Sequence, residues 1–317
     1  MKVVSVINYK GGVGKTTLVS NLAAYAASQG KRVLMIDLDT QMSLTLSFMN
    51  MDTWEKFYAN TPNKTLKDFF SAVLEGETPP DLSELVENIG QFGEDGRFDL
   101  LISYRDLNDI DVALIESIAS SKPEVFARKF LKCYNQLRIA LAKIADNYDL
   151  VLIDCPPNFY ALVKNAVTAS DYCIIPSKMD YLSTLGVEHL QNNLKKYIKE
   201  YADHLDTYNK NKPREAPEYQ PVFTEILGVV PTMVNVIDNK RKRLVTIEND
   251  YINYLPEQGF HIFPWIRNNP MIFGSVPSGG VPVVISCPKL TSFITWRNTI
   301  RPELQELGQE FIERAEI

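Results

Sequence analysis

Val3 to Asn8 reads as an apolar strand. Tyr9 to Thr17 follows, spelling YKGGVGKTT, and a helical pattern comes after it. Leu18, Leu22 and Tyr25 or Ala26 recur at helical spacing, so a helix is predicted from about Lys15 to Ser28, with Gly30 as its left-handed stop. Val33 to Asp37 is a second buried strand, which makes a βαβ unit with a parallel, right-handed connection. The pattern weakens from about Asn50 to Arg97. Short helices are predicted over Leu66–Leu74 and Leu82–Ile89, with Pro79-Pro80 between them, then a turn over Gly93–Gly96 and a short strand over Leu100–Ser103. Phe126 to Ala145 reads as one helix with Phe130, Leu137, Leu141 and Ile144 on one face. It feeds an apolar strand ending at Asp154. Tyr208 to Pro221 is polar and proline-bearing, as an exposed loop would be.

At 317 residues the chain could hold one large α/β domain or two smaller ones. No Gly/Ser/Pro linker brackets the weak stretch. The expectation is a single α/β domain over 1–317, with surface elaboration about 50–97 and an exposed loop about 208–221. Apolar residues make up 45% and charged residues 23%, as in ordinary soluble proteins. The net charge of -6 gives no global field toward nucleic acid or anionic lipid, so any such contact needs a local patch. Cys133, Cys155, Cys173 and Cys287 form no C-x-x-C pair, which argues against disulfides and a structural zinc site. Position 1 leads straight into the first strand, so no signal or transit peptide is expected. No apolar run approaches the roughly 20 residues of a membrane span. A cytoplasmic chain is expected.

The chemistry begins in the glycine-rich stretch. Glycines ending in Lys-Thr between a strand and a helix are the strong form of the P-loop signal. Gly11, Gly12 and Gly14 let the main chain approach a phosphate, and the N–H groups around Val13 and the helix start face the anion. Lys15 would neutralise the β- and γ-phosphates of a nucleotide, and the Thr16 hydroxyl, followed by Thr17, would hold Mg²⁺. Asp37 and Asp39 lie at the carboxyl end of the second strand, where open α/β sheets bind ligands. Asp154 ends its own apolar strand in the Walker B manner, placing an acid opposite the P-loop to reach Mg²⁺. Cys155 is a buried small residue rather than a nucleophile, because no base follows nearby.

The additional Lys10, in the pattern K-G-G-x-G-K-T-T, resembles the deviant Walker A group of ATPases, the ParA/MinD superfamily. Asp37-Leu38-Asp39-Thr40-Gln41 resembles that family's D-x-D-P-Q motif, and Tyr148 to Pro157 closely resembles ParA. The resemblance covers most of the chain. It implies a doubly wound, mostly parallel twisted sheet with helices on both faces, as in P-loop NTPases. It further implies that Lys10 reaches across a dimer interface to the partner's nucleotide, that Asp39 orients the attacking water, and that Asp37 supports the magnesium shell or pairs with a P-loop lysine. Thr40 and Met42-Ser43 depart from the family pattern and leave the shape of this switch loop open.

Ser170 to Pro176 resembles the next family strand, with Tyr181 to Leu190 as its helix. Ile226 to Met233, and Phe260 to Arg267, resemble the strand ends near the adenine, making Thr232 and Pro264 pocket candidates. The nitrogenase iron protein's bridging cysteines, the metallochaperones' C-x-x-C and the kinases' C-terminal tyrosines are all missing. The Arg301–Ile317 stretch is acid-rich, unlike MinD's basic membrane helix. These differences leave ParA. What that branch implies is an ATP- and Mg²⁺-dependent homodimer in the cytoplasm, associated with the nucleoid. It would bind double-stranded DNA without sequence preference and hydrolyse slowly until a ParB-like adaptor stimulates it. The DNA patch would be Lys240, Arg241, Lys242 and Arg243, extended by Lys195, Lys196 and Lys199. A MinD-like membrane-cycling ATPase and a structural protein with a relic P-loop are the alternatives.

Overall fold

Val3, Ile7, Leu34, Ile36, Val151 and Ile153 join one buried cluster, whereas Val4, Val6, Val33, Met35, Leu150 and Leu152 join another. Alternate side chains of each strand therefore serve opposite faces, and both faces are covered. This is why these strands read as continuous apolar runs rather than as alternating ones. The computed structural model describes residues 1–60, 65–238, 243–274, 280–287 and 290–317. In chain order the strands are β1 (Lys2–Val6), β2 (Arg32–Asp37), β3 (Val86–Phe92), β4 (Gly96–Leu101), β5 (Leu150–Asp154), β6 (Tyr172–Ser177), β7 (Glu225–Val234), β8 (Val236–Asp238), β9 (Arg243–Leu244) and β10 (Ile266–Arg267). Eight of them form one sheet in the order β10-β7-β6-β1-β5-β2-β4-β3, parallel throughout except for the β3–β4 pair. The doubly wound, mostly parallel architecture is the one expected.

The helices Lys15–Ser28 and Arg301–Ala315 supply one cluster; Leu66–Glu75, Pro123–Tyr134, Ala161–Ala169 and Tyr181–Asn211 supply the other. The first helix has its predicted bounds.

Four local expectations need correction. The Phe126–Ala145 helix is two helices, Pro123–Tyr134 and Gln136–Lys143. At the break, the Asn135 side chain bonds the Leu131 carbonyl and the Tyr201 hydroxyl, an alternative to continuous helical bonding. The Leu82–Ile89 helix stops at Leu85 and becomes β3, where pairing with β4 overrides the local pattern. With β3 in the main sheet and Leu66, Phe69, Phe70, Leu82 and Leu85 fully buried, the stretch from 66 to 97 is core and sheet edge rather than surface elaboration. The helix from Tyr181 continues to Asn211, so the expected loop at 208–221 begins only at Lys212, with Tyr208 buried and its hydroxyl donating to the Pro217 carbonyl.

The β3–β4 hairpin lies tight on the first helix at Gly96, where a β-carbon would sit 2.0 Å from the Ala27 carbonyl oxygen. Gly96→Ala is therefore expected to lower the unfolding free energy by about 1–3 kcal/mol. A fall in the urea midpoint at unchanged slope would show it. An unchanged midpoint would mean that the hairpin can move away from the helix.

Candidate functional site

The site is assembled where β1, β5 and β2 end side by side. Val6 pairs with Asp154, and Asp154 with Asp37, so three neighbouring strand ends present the P-loop and two acids in one row. The loop turns sharply after Asn8, with Gly12 at φ +66° and Gly14 at φ +85°, a region that side chains with a β-carbon rarely enter. Gly14 caps the helix Lys15–Ser28, and no side chain bonds its first N–H groups. Those donors, with the helix dipole behind them, suit an anion. Val13 is fully buried and anchors the loop, its carbonyl accepting from the Thr232 hydroxyl at 2.8 Å. Lys15 is only 7% exposed. Its ammonium faces the carbonyls of Asn8 at 3.3 Å and Lys10 at 3.5 Å.

The acids are more deeply set. Thr16 Oγ1 donates to Asp154 Oδ2 at 2.7 Å, while the buried Asp154 Oδ1 has no hydrogen-bond partner among the described residues. Burial pushes the Asp154 carboxyl up, and the charge of Asp37 adds to this against the opposing pull of Thr16 and Lys15. Burial also raises Asp37, whose Oδ2 accepts from both the Thr45 amide and hydroxyl at 2.8 Å and whose Oδ1 accepts from the Asp39 amide at 3.2 Å. Two buried carboxyls held near one another, with an orphaned oxygen and a threonine hydroxyl between acid and P-loop, form an all-oxygen donor set that fits Mg²⁺. Asp37 itself is tied to Thr45 and makes no contact with a P-loop lysine. Asp39 stands further out, at the lip. Its Oδ1 accepts from the Gln41 amide at 2.9 Å, and its carbonyl accepts from Ser103 Oγ at 2.8 Å. The divergent Met42-Ser43 makes a left-handed turn (Met42 φ 54°) straight into the helix Ser43–Phe48. Cys155 is fully buried and its thiol is pushed well up by desolvation, which makes it inert.

Two cavities flank the P-loop helix and meet at Thr17 and Phe273. One, of ≈ 330 Å³, is lined by Gly14, Thr17, Thr232, Asn268, Pro270 and Phe273, among others. The other, of ≈ 350 Å³, includes Thr16, Gln41 and Ser43 in its wall. Thr232, one of the two pocket candidates, lines the first of these cavities. Pro264 does not line that cavity. The wall comes from a few residues later, because Ile266–Arg267 rather than Phe260–Phe263 is the edge strand beside β7, and Ile262 makes only an isolated bridge to Val229. A larger cleft of ≈ 440 Å³ between the helices Tyr181–Asn211 and Thr246–Glu257 contains none of the glycine-rich loop and none of the three acids, so size does not choose the site.

Sequence reasoning missed Asn8, whose Oδ1 accepts from the Lys10 amide and whose Nδ2 donates to the Pro176 carbonyl, holding the loop between strands. It also missed the partners of Lys10, Asp180 and Ser183. An Asp three residues before a Ser at a helix start is a legible cap signal, though nothing in it points to the P-loop. Lys195, Lys196 and Lys199 are exposed on the long helix. Lys240, Arg241 and Lys242 lie outside the described residues, and Arg243 is described only as backbone in β9. No helix among the described residues is long and apolar enough to cross a membrane.

Comparison with known proteins agrees with this geometry. The AAA_31 family, described as an AAA domain, matches residues 1–207. The chain is 37% identical over 195 residues to an uncharacterised protein of Pseudomonas putida, covering 62% of this chain and 63% of that one. It is 31% identical over 199 residues to the chromosome partitioning protein ParA of Caulobacter vibrioides, again covering 62% of this chain and 63% of the relative. The chain therefore aligns with less than two thirds of the length of these relatives. Among solved structures, an ATP complex of a Cyanothece McdA variant superposes with a TM-score of 0.66 at 18% identity, over 100% of this chain and 97% of that chain, which is a likeness of fold. The chain belongs to the ParA/MinD family of P-loop proteins.

Proposed function

We propose that this protein is a magnesium-dependent ATPase of the partition or positioning type, which dimerises on ATP, binds DNA without sequence preference and moves a cargo. The observation that carries the reading is the row of Lys15, Thr16–Asp154 and Asp37 at three adjacent parallel strand ends, beside an uncapped helix N-terminus. Gly11, Gly12, Val13, Gly14 and Thr17 cradle the phosphates, with Lys15 as the fixed cation. Thr16 and Asp154 would hold Mg²⁺, supported by Asp37, and a bound ion would supply positive charge against the phosphate oxygens. Asp39 positions the attacking water, and Lys10 acts on the partner's nucleotide. Catalysis is positioning and charge stabilisation. The deciding experiment is phosphate release from ATP by the purified chain, with and without Mg²⁺ and with and without random-sequence duplex. Magnesium-dependent turnover supports the reading, and no turnover under any condition leaves a relic P-loop.

DNA contact rests on local charge, because the chain as a whole is acidic. Lys195, Lys196 and Lys199 share the exposed side of one helix, and a symmetric dimer doubles them together with the 240–243 run. Replacing these three lysines with alanine is expected to weaken ATP-dependent binding of random duplex by roughly 10-fold or more near 0.1 M salt, and to flatten its salt dependence. An unchanged gel shift with an unchanged salt slope would remove the helix from the interface. A ParB-like adaptor is the proposed stimulating partner. Activation of the turnover assay by the product of a neighbouring reading frame would identify it.

A further inference from the structure

Lys10 opens the P-loop, yet its ammonium is bound within its own chain. Nζ donates to Asp180 Oδ2 at 3.0 Å and to Ser183 Oγ at 2.9 Å. Asp180 is the N-cap of the helix Tyr181–Asn211, and its other oxygen, Oδ1, accepts from the Ser183 amide at 2.8 Å. One carboxylate therefore caps a helix with one oxygen and holds a lysine with the other. A cation beside a helix N-terminus is disfavoured by the dipole, so it is the charge of Asp180 that keeps Lys10 there.

The surroundings permit release without unfolding the loop. The Lys10 amide is fixed by Asn8 Oδ1 at 2.8 Å, which leaves the side chain as the part able to swing. Tyr9 is held independently, its hydroxyl accepting from Asn193 Nδ2 at 2.6 Å and its ring lying against Phe159 and His189. The ion pair itself is half exposed, at 42% for Lys10 and 45% for Asp180. Such pairs are screened and weak, so the multiple charge of a triphosphate outcompetes a single carboxylate.

We propose that Asp180 and Ser183 form an intramolecular latch that parks Lys10 on its own subunit, and that opening this latch is a step in assembly of the nucleotide-bound dimer. The proposal rests on the reading that Lys10 crosses to the partner's nucleotide. It assigns Asp180 and Ser183 as positioning residues that set the threshold for assembly. A symmetric dimer must open two latches, so the effect of one enters squared. An exposed pair that reduces the competent fraction about 2- to 5-fold therefore raises the apparent dimer dissociation constant by about 4- to 25-fold.

Asp180→Asn tests this cleanly, because asparagine caps a helix as well as aspartate does while removing the charge. Sedimentation velocity with saturating AMPPNP and Mg²⁺ is expected to give a dimer dissociation constant about 4- to 25-fold lower than wild type. Ser183→Ala, which keeps the carboxylate, is expected to give a smaller tightening of about 2-fold. In a Lys10→Ala background, Asp180→Asn should add nothing. An unchanged or weaker dimer in folded Asp180→Asn, or a tightening that survives the loss of Lys10, overturns the latch. If wild type stays monomeric with AMPPNP and Mg²⁺, the dimer reading fails separately, and the latch is judged by the Asp180 carboxyl in carbon-13 NMR titrations. Burial pushes that carboxyl up, but the Ser183 amide and Lys10 outweigh it and hold it below the ordinary range. Lys10→Ala should move it upward, and an unmoved titration overturns the latch on its own.

Discussion

Lys15→Gln is expected to weaken ATP binding by about 100-fold or more while leaving the fold intact. Lys15 is nearly buried at the helix start, and among the described residues its ammonium is hydrogen-bonded to two carbonyl oxygens at long distances. A triphosphate replaces those weak contacts with ionic ones in a partly screened setting, where one pair of charges at 4 Å attracts by about 4 kcal/mol. Part of that is lost to desolvation of both partners, and about 3 kcal/mol of net loss corresponds to roughly 100-fold in affinity. Glutamine keeps a polar, unbranched side chain one atom shorter but brings no charge. Because the present contacts of Nζ are weak, thermal stability without nucleotide should change by less than about 1 kcal/mol. Calorimetric titration with ATP and Mg²⁺ measures the first quantity and thermal unfolding the second. Undiminished affinity in a folded variant would count against the P-loop as the phosphate site.

Asp39→Ala carries the second large expected effect, this time on turnover rather than on binding. Asp39 stands at the lip of the site, beyond the buried Asp37 and Asp154, and among the described residues its carboxylate is engaged by the amide of Gln41 two residues on. It makes no hydrogen bond or ion pair with Thr16 or Lys15, the groups proposed to meet magnesium and the phosphates. Its removal should therefore leave ATP affinity within a few-fold of wild type. A positioned carboxylate acting on the attacking water contributes about 10²- to 10⁴-fold, so turnover should fall by at least about 100-fold. The result would be a persistent ATP-bound dimer, visible by light scattering long after wild type has returned to monomer. Turnover equal to wild type would pass the water-positioning role to another group.

The centre of the site was legible because its chemistry is contiguous in sequence. A phosphate cradle needs successive backbone amides, so Gly11 to Thr17 must be neighbours in the chain. The two acids mark themselves by ending apolar strands, and the parallel register then aligns Asp37 with Asp154. Contacts that depend on register or on distant pairing were not legible. The cavity beside Gly14 and Thr232 takes its wall from residues around Asn268 and Pro270, not Pro264, because the short β10 pairs with β7 at Ile266↔Thr232. Nothing near Lys10 in the chain signals Asp180, which is 170 positions away. The pattern of Val86–Phe92 resembles a helix end until β4 is present to pair with it. The long helix past Leu190 was missed because its later turns alternate buried tyrosines (Tyr197, Tyr201 and Tyr208) with charged residues, and only tertiary packing against Phe130 and Tyr134 reveals that face.

The two rims of the sheet carry a consequence for solubility. A free rim invites another polypeptide to zip on through main-chain pairing, the route by which β-rich proteins clump. Here one rim, β10, is only two residues long, and its Arg267 is clasped by Glu303 of the C-terminal helix. The other, β3, is antiparallel to its neighbour, shifts register near Gly90 and carries Glu87, Asn88 and Gln91 along its length. Both are poor templates for cross-molecule ladders. Among the described residues, neither rim therefore offers the long, flat row of unpaired main-chain groups on which a second polypeptide could build.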